Sequence, residues 1–194
     1  MLDLQLPIST DQIRDLKVGD FLNLTGTFIT ARDSAHQYLY QEDPPEFREI
    51  LQRAFIFHCG PIAKKQGDQW EWAAAGPTTS MRMEPYAPAL IERYQLQGIV
   101  GKGGMGAGTQ EACSKYGVVY CQAPGGCAAL LTQKVVKVKG VYKLEDFGIP
   151  EAIWVLEVKD FPVLVTMDSH GGNWYRQVKD KSLRERERLQ AQLL

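Results

Sequence analysis

The sequence predicts a mixed α/β domain with more than one sheet layer. Three observations carry this. Strand-like segments dominate both ends of the chain, while strands and helices alternate in its middle. There is no internal repeat and no low-complexity linker. The chain has 194 residues, 44% of them apolar, which suits one domain with a real core.

The elements follow in order. Asp11 to Leu16 predicts a helical turn with Thr10 as its N-cap. Asp20 to Thr30 alternates apolar and polar residues and predicts a strand. A short helix begins at Ser34 and is stopped by Pro44-Pro45, and Phe47 to Arg53 is helical again. Ala54 to His58 is an apolar strand closed by Gly60-Pro61. Gln69 to Ala75 predicts a strand that enters the Gly76-Pro77 turn. Pro85 to Tyr94 has helical spacing, Gly98 to Gly101 reads as a short buried strand, and Thr109 to Tyr116 as a helix. Val118 to Gln122 is a strand and Gly126 to Gln133 a helix. Three strands close the series at Val135 to Leu144, Ala152 to Lys159 and Phe161 to Met167. Arg184 to Leu194 is a polar, charge-rich helix or frayed tail.

Bulk properties exclude several classes. A net charge of -1 supplies no field that would draw the chain to nucleic acid or a membrane surface. No apolar run approaches the ~20 residues of a membrane span. The first residues lack a basic leader followed by an apolar stretch, so a cytoplasmic protein is expected. The four cysteines, Cys59, Cys113, Cys121 and Cys127, form no Cys-x-x-Cys pair. They read as reduced, small apolar residues rather than metal ligands, and no metal site is expected on this chain.

Chemistry concentrates in three polar motifs, each placed just after a strand, where α/β folds gather ligands. Gly76 to Met83, Gly-Pro-Thr-Thr-Ser-Met-Arg-Met, puts hydroxyls and a guanidinium on one turn. Thr78, Thr79 or Ser80 is there to cap a helix, or Thr78 is activated by Arg82, four residues on. Ala31 to His36, Ala-Arg-Asp-Ser-Ala-His, offers Arg32 as a carboxylate grip, with Asp33 to cap the next helix or orient Arg32. The alternative is a surface charge pair of little worth. His36 is a proton carrier, or a buried histidine bonded to Asp33 or backbone. Val100 to Met105, Val-Gly-Lys-Gly-Gly-Met, lacks the phosphate-loop pattern. Its glycines Gly101 and Gly103 let backbone approach a ligand and Lys102 adds a point charge, or the segment is a flexible turn. Pro124-Gly125-Gly126 and the Asp168 to Gly172 turn are further polar turns without an assigned chemistry.

In their order and spacing these motifs resemble the beta subunit, or C-terminal domain, of class I iron–sulfur fumarate hydratases and of the related L-tartrate dehydratases. Gly-Gly-Cys-Ala-Ala-Leu, Gly-Ile-Pro-Glu-Ala-Ile-Trp and Val-Lys-Asp-Phe-Pro-Val add to the resemblance, which covers about Gly19 to Asn173. It implies a swivelling β/β/α three-layer domain with mixed sheets over residues 1–178, followed by a polar helical tail over 179–194. It implies a hydro-lyase that adds water reversibly to fumarate to give L-malate. The [4Fe-4S] cluster would be held by an alpha subunit, in a heterotetramer of two alpha and two beta subunits, and not by this chain. Carried over by position, Thr78 matches the base that removes the C3 proton of malate. Arg32, Arg82 and Lys102 match the carboxylate-binding residues, and Asp33, His36, Thr79, Gly101 and Gly103 are supporting positions. Rival readings are a dehydratase for tartrate or a methylated analogue, and a non-catalytic assembly protein that retains the fold.

Overall fold

The computed structural model describes residues 1–192. The strands are β1 (Leu2–Gln5), β2 (Phe21–Thr30), β3 (Phe55–Phe57), β4 (Ile62–Gln66), β5 (Gln69–Ala74), β6 (Gly98–Gly101), β7 (Val119–Gln122), β8 (Val135–Tyr142) and β9 (Ile153–Met167). The helices are α1 (Thr10–Asp15), α2 (Asp33–Glu42), α3 (Glu46–Leu51), α4 (Ala87–Tyr94), α5 (Ala107–Tyr116), α6 (Ala128–Thr132), α7 (Leu144–Phe147) and α8 (Trp174–Ala191), with a 3-10 turn at Ser80–Met83. Seven strands form one mixed sheet in the order β1-β2-β3-β6-β7-β9-β8. An additional antiparallel pairing of β2 with β9 partly closes this sheet into a barrel. The β4–β5 hairpin stands apart as a second, two-stranded sheet.

Period-two alternation divides each wall strand between two cores. Phe28, Phe55, Phe57, Val100, Val119 and Cys121 face the barrel interior with Trp154, Leu156, Phe161 and Val163. Ile29, Ile56, Ile99 and Tyr120 face outward against Ala35, Leu39, Leu90, Ile91 and Cys113 of α2, α4 and α5. The parallel wall therefore lies between a helical layer and a far wall of β9 and β8, and the hairpin's Trp70 and Trp72 pack on Trp154. This is an α/β domain with layered, mixed sheets. Inside the barrel the Phe161 ring sits 5.1 Å from Phe28 and 5.3 Å from Phe57. Burial of one such ring contributes about 2–3 kcal/mol.

Several elements differ from the sequence expectation. The last two expected strands are one strand, β9, with a bulge at Lys159-Asp160. There two residues of β9 oppose Thr25 alone, and Asp160 takes φ 49°. The Asp160 amide donates to Thr25 Oγ1 at 3.0 Å. The bulge shifts the phase, so that Trp154, Leu156 and Val158 before it and Phe161, Val163 and Val165 after it all face inward. Ser9, not Thr10, caps α1, in a reciprocal capping box with Gln12. Helix α8 starts at Trp174, capped by Asn173, ten residues before the expected tail helix, and runs through position 178. Leu193 and Leu194 of that expected tail lie outside the described residues. Among the described residues no helix is long and apolar enough to cross a membrane.

Candidate active site

Strands β2, β3, β6 and β7 run parallel, so their C-terminal ends share one edge. Arg32 follows β2 and Lys102 follows β6 on that edge. The Pro77–Ser80 segment is inserted there in extended form. It bridges Pro77 to Cys59 and Thr79 to Lys102. The Thr78 amide donates to the His58 carbonyl at 2.7 Å, and the Ser80 amide to the Lys102 carbonyl at 3.1 Å. Beyond their last shared pair, the ends of β3 and β6 are thus held through this wedge, which carries Thr78 between them.

The structure brings Thr78, Arg82 and Asp33 into one hydrogen-bonded group. Arg82 NH2 donates to Thr78 Oγ1 at 2.8 Å. The same guanidinium grips Asp33 through Nε at 2.8 Å and NH2 at 2.9 Å. Those bonds, with Arg82's charge, hold the Asp33 carboxyl below the usual carboxylate range, and Asp33 raises Arg82. Arg32 takes a different partner. Its Nε lies 3.1 Å from Glu151 Oε1, while Asp33 is 3.7 Å away. Glu151 also accepts from the Ser34 amide at 2.9 Å, so it ties Arg32 to the start of α2. The choice between a cap and an orienting role for Asp33 resolves otherwise: Asp33 is the first residue of α2 and its carboxylate faces Arg82. Lys102 is half-buried beside the Gly125 turn, and among the described residues it forms no ion pair.

The capping readings for the threonine run do not describe this geometry. Thr79 stands at the N-cap position of the 3-10 turn and its side chain makes no capping bond. Thr78 lies outside the turn. Ser80 points inward instead, fully buried, with Oγ 2.9 Å from both His58 Nδ1 and the Tyr120 hydroxyl. Gly101 lacks a Cβ for this reason, since one would fall 1.8 Å from Ser80 Oγ. Gly103 takes φ 77° with open space around it, the conformation a glycine tolerates best. Gly60 is equally constrained, because a Cβ there would meet Arg32 NH1 at 2.4 Å and the Pro150 carbonyl at 2.7 Å.

His36 is buried beneath the site. Its Nδ1 lies 2.9 Å from the Arg32 carbonyl, which can only accept, so Nδ1 carries the proton. Burial pushes its pKa down to about 4, and the ring is neutral at ordinary pH. His58 packs edge-on against it, with centroids 4.9 Å apart. Burial, followed by the nearby His36 and Arg82, keeps His58 well below the usual histidine range. His58, Ser80, Tyr120 and Glu151 are the site's neighbours that sequence reasoning did not assign. His58 had a readable signal: like Arg32 and Lys102, it sits just past the end of a parallel strand.

Glu84 and the Asp168 to Gly172 turn have structural roles. Glu84 accepts from the Gly106 and Thr109 amides at 2.7 and 3.1 Å, which caps α5 and pins the glycine loop that follows Lys102. Asp168 accepts from the Val18, His170 and Gly172 amides. The cysteines do not fit a cluster site. Cys59, Cys113 and Cys121 are buried, and burial raises all three thiols, whereas a metal needs thiolates. Among the described residues no group of His, Cys, Asp and Glu is arranged to hold a metal ion.

The model of the family described as fumarase C-terminus matches residues 1–178. A Geobacillus stearothermophilus protein carrying the provisional name class I fumarate hydratase is 45% identical over 184 residues. That match covers 94% of this chain and 35% of the relative, so the chain spans about a third of that protein's length. The L(+)-tartrate dehydratase subunit beta of Escherichia coli K12 is 43% identical over 171 residues, 88% of this chain and 84% of that subunit. A Methanocaldococcus jannaschii protein provisionally named as the same subunit is 43% identical over 177 residues, 90% of this chain and 91% of the relative. These relatives are named as hydro-lyases or their subunits, and the chain belongs to the fumarase C-terminus family.

Proposed function

We propose that the chain is the beta subunit of a class I fumarate hydratase, supplying the base and the carboxylate clamp for reversible hydration of fumarate to L-malate. The observation that carries this is the Thr78 hydroxyl held 2.8 Å from Arg82 on the edge shared with Arg32 and Lys102. A free threonine is a poor base. A charge-assisted bond from a guanidinium stabilises its alkoxide, and it leaves the hydroxyl's own proton free to depart.

In the dehydration direction Thr78, as alkoxide, takes the C3 proton of malate. The electron pair left at C3 spreads into the adjacent carboxylate, where Arg32, Arg82 and Lys102 offset the growing charge. The double bond forms as hydroxide leaves C2. In hydration Thr78 returns the proton to carbon. Asp33 orients Arg82, and Glu151 orients Arg32. His36 holds the backbone that carries Arg32. The groups that act on the C2 hydroxyl belong to an alpha subunit, and the [4Fe-4S] cluster of this enzyme class is assigned there too. Two relatives named as beta subunits support the need for such a partner. The assembly is a heterotetramer of two alpha and two beta chains.

A second reading is the beta subunit of an L-tartrate dehydratase. It is favoured by the relatives that match over most of their own length, which carry that name. Co-expression with the alpha subunit, followed by anaerobic reconstitution, decides between them. The kcat/KM values for fumarate, L-malate, L-tartrate and mesaconate rank the substrates. Preference for L-tartrate replaces the first reading with the second. Full activity from this chain alone overturns both.

A further inference from the structure

Ser80 belongs to none of the roles above, yet it is the most constrained polar side chain at the site. It is fully buried. Its amide holds Lys102 through the carbonyl at 3.1 Å, and two residues earlier the Thr78 amide holds His58 at 2.7 Å. Its hydroxyl then reaches under the wedge to His58 of one flanking strand end and to Tyr120 of β7, both at 2.9 Å. Each hydroxyl can donate or accept, so Ser80 Oγ links the buried His58 ring to the buried Tyr120 hydroxyl. Through its amide and its hydroxyl, this one residue thus links the ends of β3 and β6 to Tyr120 of β7 beneath Thr78. Gly101 packs closely against it, since a Cβ there would fall 1.8 Å from Ser80 Oγ.

We infer that Ser80 is a positioning residue: its hydroxyl, held between His58 and Tyr120, sets where Thr78 and Lys102 stand relative to each other. The inference deepens the hydro-lyase reading and rests on it for its kinetic test. A wedge fixed only at its backbone leaves Thr78 free to shift, and a shift of an ångström is enough to spoil proton transfer to carbon.

The test uses the assembled enzyme and three variants. Ser80→Ala lowers kcat for dehydration on the order of tenfold to a hundredfold. The primary deuterium isotope effect at C3 rises as proton transfer becomes limiting, while alpha-subunit binding is retained. Ser80→Ala with Gly101→Ala returns the lost volume without the hydrogen bonds, and it stays impaired. Tyr120→Phe removes one arm of the tie and moves kcat and the isotope effect in the same direction. Recovery of kcat in the double variant, or an unchanged isotope effect in Ser80→Ala, overturns the positioning role. An activity-independent arm separates this from failure of the functional reading. In a crystal structure of the full-length Ser80→Ala chain, Thr78 is displaced from the His58 carbonyl. An undisplaced Thr78 overturns the inference even if the complex proves to act on another substrate.

Discussion

Arg82 donates to Thr78 Oγ1 at 2.8 Å across one turn of chain, four residues apart in sequence. The contact makes the hydroxyl an acceptor from a permanent cation. A threonine so placed differs from one that caps a helix, because its partner lowers the cost of losing a proton.

Thr78→Ala removes the proposed base and leaves the fold alone, since the side chain is half-buried and bonds only Arg82 among the described residues. The expected result is a loss of about 10²–10⁴ in kcat with an unchanged Tm. Steady-state kinetics of the reconstituted complex checks it. Near-normal turnover rejects Thr78 as the base.

Asp33→Asn leaves Arg82 without its bidentate clamp. The pair is well exposed, with side chains at 43% and 40%, so stability changes by less than about 1 kcal/mol. Turnover falls, because the guanidinium that faces Thr78 is no longer oriented. The Asp33 carboxyl is depressed below 3.8, so the clamp is intact above that value and is lost as pH falls through the lower folded value. Any acid limb of the kcat profile near neutrality therefore stays in place in Asp33→Asn. A shift of that limb assigns it to Asp33 and disproves the ordering.

His36 makes the fold itself pH-sensitive. Its pKa is about 4 when folded and 6.5 in the unfolded reference. The unfolded chain binds more protons between those values, so stability is full above pH 6.5 and declines as pH falls toward 4. The loss reaches about 3 kcal/mol at the low end. His36→Gln flattens this part of the Tm-versus-pH curve. Parallel curves for the two proteins would place the proton uptake elsewhere, with His58 the first alternative.

Gly60→Ala tests the seat of Arg32. A Cβ would meet the guanidinium at 2.4 Å and the Pro150 carbonyl at 2.7 Å. The backbone contact cannot yield easily, so a loss of about 1–3 kcal/mol is expected. With Arg32 in its proposed role, its displacement raises KM for the proposed dicarboxylate substrate. A normal KM in the folded variant would remove Arg32 from substrate binding.

Much of this was readable from residue order. The apolar runs at Ala54 to His58 and Gly98 to Gly101 are strands in the structure, and three motifs placed after strands do gather at one edge. What escaped has physical reasons. β4, Ile62–Gln66, is polar enough to read as loop, because an edge hairpin need bury little. The Asp160 bulge split one strand into two, since period counting restarts where the phase slips. Ser80 looked like one more capping hydroxyl. Its partners lie 22 and 40 residues away, and only the tertiary fold brings them to it.

The pairing of β2 with β9 sets an order of events. Arg32, Thr78, Arg82 and Lys102 all precede β9 in the chain, yet β2 gains its antiparallel neighbour only from residues 155–164. β9 also borders β7, so it is the stave that closes the ring. A nascent chain halted after β7 would carry the proposed base and carboxylate-binding residues, but not Glu151, on an open sheet with a bare edge. The site is therefore a late product of synthesis, and the exposed edge of β2 is what a chaperone would have to guard until β9 arrives.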